Sequence, residues 1–138
     1  MIEINEEMAV DEFNRAACFY GLEELDSYPE KNDEEDDQVL IFKFLERIRK
    51  GVLVVDESGE IKQILVKPLD VNGLSKSEFI FQIPTAGDLR AGQRKNNHVD
   101  IATTLAARIT KTNEVDLNKL SIKDYRILSE TTMIFFME

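Results

Sequence analysis

The stretch "SEFIFQI" (77–83) alternates, with Phe79, Phe81 and Ile83 on one face and Glu78, Ile80 and Gln82 on the other. That is the period of a half-buried strand. It runs into Pro84, which has no N–H to give a ladder, so pairing has to stop there. Thr85 follows, and Asp88 comes three residues later. A threonine hydroxyl at a helix start accepts from the N–H of the third helical residue. A carboxylate at that third position reaches back to the cap's own N–H, here with Asp in place of the longer Glu or Gln. "IPTAGDLRAG" (83–92) is therefore a strand-to-helix switch, and any fold of this chain contains a strand followed at once by a helix.

The periods on either side extend the pattern. Val10, Phe13, Ala17 and Tyr20 mark one face of a first helix, with Asn5 to cap its start and Gly21 to end it. "EELDSYPEKNDEEDD" (23–37) carries six acids between Glu30 and Asp37 and reads as a solvated, mobile loop. Ile41, Phe44, Leu45 and Ile48 then predict a second helix ending at Gly51, although "VLIFKF" is also rich in strand formers. Beyond Gly51 the sequence predicts two strands, 52–55 and 61–67, with Pro68 stopping the second. A turn at Asn72-Gly73 leads into the third.

After the switch the chain is helical again. Ile101, Leu105 and Ile109, with Ala102 and Ala106, form an apolar stripe. Ser121 and Asp124 repeat the cap spacing, and the last helix aligns Ile122, Tyr125, Leu128, Thr132 and Phe135. The expected class is α+β, a small antiparallel sheet of about three strands packed with helices. Residues 1–50 form an acidic helical segment with the loop at 23–37, and residues 51–138 form an α+β domain.

Little of this supports catalysis. The one histidine, His98, has no flanking motif and suits an exposed or capping place at a helix start. The one cysteine, Cys18, has no basic neighbour to form its thiolate, and reads as buried and inert. "NDEEDD" lacks the central glycine and distal glutamate of a calcium loop, and no phosphate-binding glycine motif is present. No catalytic residue, metal site or cofactor is expected.

The net charge is −10, and residues 1–50 hold fifteen acids against six bases. With no basic cluster, direct nucleic-acid binding is disfavoured, as is an anionic membrane surface. No apolar run approaches the ~20 residues of a membrane span. The acidic N-terminus does not resemble a signal peptide, so a cytoplasmic location is expected. Binding remains, through the acidic N-terminal segment or through "MIFFM" (133–137). A helix cannot turn five consecutive apolar residues to one core, which marks Met133, Phe135 and Phe136 as candidate partner contacts.

Pro84, Thr85, Ala86, Gly87, Asp88 and Leu89, followed by Leu120, Asp124 and Tyr125, resemble the two motifs of the tail assembly chaperones of tailed phages and prophages, of the Mu-like kind. The resemblance covers about residues 60–138. Gln82 stands where that family often has arginine, and residues 1–50 have no counterpart in it. The resemblance implies a non-enzymatic protein of the host cytoplasm. It would bind the helical tape measure protein and help tail tube subunits assemble around it, with homo-oligomerisation left open. It also implies that Pro84, Thr85, Gly87, Asp88, Ser121 and Asp124 hold the fold rather than touch a partner. The competing reading is an acidic inhibitor or DNA mimic that meets a basic partner.

Overall fold

Helix α1 (Glu6–Tyr20) starts where Asn5 accepts from the Met8 N–H at 2.8 Å and stops where Gly21 turns left-handed, φ 81°. A computed structural model describes residues 4–25, 28–29, 36–71, 73–94 and 97–136, without the side chains of residues 36, 37, 98 and 99. Most of the acidic loop expected at 23–37 lies outside the described residues, as do the surroundings of the His98 side chain. The order is α1, α2 (Asp36–Arg49), β1 (Leu53–Val55), β2 (Ile61–Val71), β3 (Leu74–Ile80), α3 (Ala86–Gln93), α4 (His98–Ile109), α5 (Glu114–Leu117) and α6 (Ile122–Phe136). The sheet is antiparallel, in the order β1-β2-β3. The fold is α+β, with helices at both ends.

The chain divides into two compact units, Met1–Ile64 and Leu65–Glu138. In the first unit α1 buries Ala9, Phe13, Ala16 and Ala17, and α2 buries Phe44, Leu45 and Ile48. Phe13 meets Phe44 edge to face at 5.5 Å. The face of α1 is turned slightly from the expected one, leaving Val10 and Tyr20 half-buried. For the same reason Cys18, expected inside, is exposed: it lies off the stripe that Phe13, Ala16 and Ala17 define. The first unit also brings β1 onto the start of β2, with Leu53 opposite Gln63 and Val55 opposite Ile61. This pairing explains why the unit extends to Ile64.

The β1–β2 turn is held from α1. The Arg15 guanidinium donates to the carbonyls of Val55 and Asp56 at 2.8 and 2.7 Å. Asp56 Oδ1 accepts from the N–H groups of Ser58, Gly59 and Glu60 and from the Ser58 hydroxyl. Those bonds, the Ser58 hydroxyl foremost, hold its carboxyl below the usual aspartate range. Gly59 passes so close to α1 that a Cβ there would stand 2.4 Å from the Arg15 carbonyl oxygen.

Pro68 does not stop β2, which continues to Val71. β1 pairs only with the start of β2, so Pro68 lies where β2 has a partner strand on one side, and a missing N–H there breaks no ladder bond with β1. β3 ends at Ile80. Phe79 and Phe81 are buried as expected, but Ile83 is not, because the chain has left the ladder before reaching it. In the second unit the Gln82 N–H donates to the Ile109 carbonyl at 3.1 Å, joining this exit to the end of α4. α4 buries Ala102, Leu105, Ala106 and Ile109. α6 buries Ile127, Leu128, Thr131 and Thr132, whereas Ile122, expected on that face, is 76% exposed at the first helical position.

Candidate functional site

The segment from Ile83 to Gln93 is fixed at three points. Thr85 Oγ1 accepts from the Asp88 N–H at 3.2 Å, and Asp88 Oδ2 accepts from the Thr85 N–H at 2.9 Å, which completes the capping box. The other Asp88 oxygen accepts from Arg108 Nε of α4 at 2.9 Å. At the far end Gly92 is buried, and a Cβ there would lie 3.6–3.8 Å from Ile101 and Leu105 of α4. A short helix with two glycines has little stability of its own. The box, the ion pair and the close packing on α4 hold it instead.

Asp88 is held below the usual aspartate range, first by the Thr85 N–H and then by Arg108. A lowered carboxylate adds stability that is present above the unfolded value and is lost as pH falls through the folded one. Asp88→Asn is therefore expected to lower stability by about 1 kcal/mol at neutral pH, mostly through the cap, because the ion pair with half-exposed Arg108 is screened. The gap between wild type and variant should close below about pH 4. Urea unfolding at neutral pH and at pH 3 measures it, and a gap that stays constant would refute this role.

The anchored corner presents apolar side chains outward. Ile83 is 55% exposed and Leu89 is 38% exposed, with Ala86 exposed between them. Strand periodicity sets Ile83 on the same face as Phe79 and Phe81, which are buried. The signal that Ile83 is not buried lies in the adjacent Pro84, which cannot continue a ladder, and β3 has already ended at Ile80.

The candidate contacts of the C-terminus lie elsewhere. Phe135 and Phe136 are buried, and Phe136 stacks on Phe81 with ring centroids 6.5 Å apart. Met133 is half-buried. Ile134 is buried too, and Met137 lies outside the described residues. The expected exposed apolar terminus is thus corrected to a core element, because neighbours cover more than one side of α6. Phe81 packs on its end and Tyr125 bonds Thr103 of α4.

The second capping site does more than cap. Ser121 Oγ accepts from the Asp124 N–H at 3.2 Å and donates to Asp124 Oδ2 at 3.0 Å. The carboxylate of Asp124, fully buried, also accepts from the N–H groups of Val66 and Lys67 on β2, at 2.9 and 3.2 Å. It fastens α6 to β2. Pro84 is half-buried and Gly87 is exposed. Thr85, Asp88, Ser121 and Asp124 therefore tie elements of the second unit together, while Ile83, Ala86 and Leu89 beside the first pair are exposed.

In the first unit a cleft of about 430 Å³ is lined by Glu6, Glu7, Asp11, Asn14 and Tyr28. The Tyr28 hydroxyl donates to Glu46, and burial, more than that carboxylate, pushes it up to about 12. Among the described residues, no group of three or more His, Cys, Asp or Glu side chains is placed to hold a metal ion. None of the described helices is long and apolar enough to cross a membrane.

Comparison with known proteins agrees with the layout of the second unit. No curated protein and no solved structure matched the chain. The family model described as phage tail assembly chaperone proteins, E, or 41 or 14, matches residues 62–137. That is more than half of the chain and takes in β2, β3 and α3 to α6. The chain belongs to the phage tail assembly chaperone family.

Proposed function

We propose that this protein binds the tape measure protein of its phage tail, keeps it soluble, and releases it to tail tube subunits without catalysing a reaction. The observation that carries the reading is the rigid apolar corner of Ile83, Ala86 and Leu89 in the part of the chain that matches the family. Apolar side chains held on an anchored corner lose little freedom when a partner covers them. A long helical partner offers apolar stripes of its own, to which such a corner is complementary. The negative charge concentrated in residues 1–50 would keep the complex soluble. The host cytoplasm is the compartment this role requires.

Ile83→Asp combined with Leu89→Asp tests the placement. Ile83 is 55% exposed and Leu89 38%, so the double variant is expected to fold with a somewhat lower thermal midpoint, and circular dichroism checks the fold. Binding to the tape measure protein, read by calorimetry or pull-down, should weaken about a hundredfold. Unchanged binding in a folded double variant would remove this corner from the reading.

A further inference from the structure

β3 is the last strand of the sheet, and its outer side has no strand beside it. Among the described residues, no main-chain group of another element bonds Leu74–Ile80 on that side. A groove of about 420 Å³ is lined by Lys76, Glu78 and Ile80 of β3, by Gln82, and by Thr110 and Lys111. A bare strand edge is a template for another strand, and proteins commonly blunt one with charge. The charges on β3 do something more selective.

The strand reads Leu74, Ser75, Lys76, Ser77, Glu78, Phe79, Ile80. Laid antiparallel on a second copy with Ser77 on the two-fold axis, Lys76 falls opposite Glu78, and Glu78 opposite Lys76. Leu74 falls opposite Ile80 at each end. Directly opposed unlike charges and apolar pairs both stabilise antiparallel strands. Moving the axis one residue either way puts Lys76 against Lys76 or Glu78 against Glu78, so only one of these three registers is free of like-charge repulsion. Leu74 is 74% exposed, an unusual state for a leucine in a strand, and the pairing gives it a partner. Glu78 has no ion pair among the described residues. The Lys76 ammonium lies over the Phe79 ring, 5.2 Å from its centroid, and reaches Thr110 and Thr112 at 3.5 and 3.4 Å, at the long limit of a hydrogen bond; with three N–H donors it can still meet a carboxylate.

We infer that the protein forms a two-fold homodimer through antiparallel pairing of β3 with β3 of a second copy, in the register centred on Ser77. The interface is isologous, and each chain supplies the same edge. One strand pairing covers less surface than a standard stable interface, so the dimer is expected at micromolar concentration. This goes beyond the chaperone reading and does not depend on it.

Sedimentation velocity of the purified full chain across the micromolar range tests it. The wild type should shift from monomer to dimer with concentration. Lys76→Glu and Glu78→Lys should each weaken self-association about tenfold or more, since two attractive pairs become repulsive. Mixing the two single variants restores both unlike pairs, so a heterodimer should form from two poor self-associators. The double exchange in one chain should dimerise like wild type. Circular dichroism of each variant separates lost pairing from lost folding, and the mixing result depends on chains that are folded. A wild type that stays monomeric throughout the range would overturn the inference. So would single variants that dimerise unchanged, or a mixture that gains no heterodimer.

Discussion

Gly59→Ala is expected to destabilise the protein by about 3 kcal/mol or more, one of the two largest effects of a single substitution in this chain. Two independent causes act together. The residue has φ 104°, outside the conformations that a side chain tolerates. A methyl group there would also sit 2.4 Å from the Arg15 carbonyl oxygen and 2.7 Å from Phe19 Cβ, so the turn and α1 have to part. Parting them stretches the bonds from Arg15 to the Val55 and Asp56 carbonyls, which otherwise tie α1 to the turn. Urea unfolding of the two proteins measures the loss, and a change below about 1 kcal/mol would show that the approach is not as close as described.

Asp124→Ala should cost about 3 kcal/mol through a different route. It leaves the N–H groups of Val66 and Lys67 without their acceptor and opens a space between α6 and β2. Asp124→Asn should lose less, because its one amide oxygen still accepts while its NH2 faces a donor. Thermal unfolding of the pair gives the order Asp, Asn, Ala from most to least stable. An alanine variant as stable as wild type would mean that the carboxylate only caps α6.

These two sites show what could be read from the sequence and what could not. The Thr85–Asp88 box was legible because both partners lie within four residues and the pattern is local. The same spacing at Ser121 and Asp124 was legible as a cap, yet the larger role of Asp124 was not, since its β2 partners lie 57 and 58 residues away. The glycine in "DESGE" signals a turn. It does not say that a helix from the first twenty residues presses on it. The second helix, which competed with a strand in "VLIFKF", is settled by burial of Phe44, Leu45 and Ile48 on one side.

The candidate contact surface was the harder part. "MIFFM" looked too apolar for one helical face, and that argument holds for a helix packed on one side only. α6 has neighbours on several sides, so Phe135 and Phe136 enter the core. Exposure then falls on Leu89, on Leu74, and on Ile83, which strand periodicity sets on the face of Phe79 and Phe81. Ile83 is exposed because its strand has already ended, which the adjacent Pro84 signals, whereas the exposure of Leu89 and Leu74 is a property of packing and leaves no mark in local sequence.

Co-expression tests the central claim most directly. The chain would be produced together with the tape measure protein encoded nearest to it, and the soluble fraction compared with that of the tape measure protein alone. The account predicts a tape measure protein that is insoluble by itself and that co-purifies with this chain as a stable soluble complex. A tape measure protein that stays insoluble and unbound beside abundant, folded partner would contradict it.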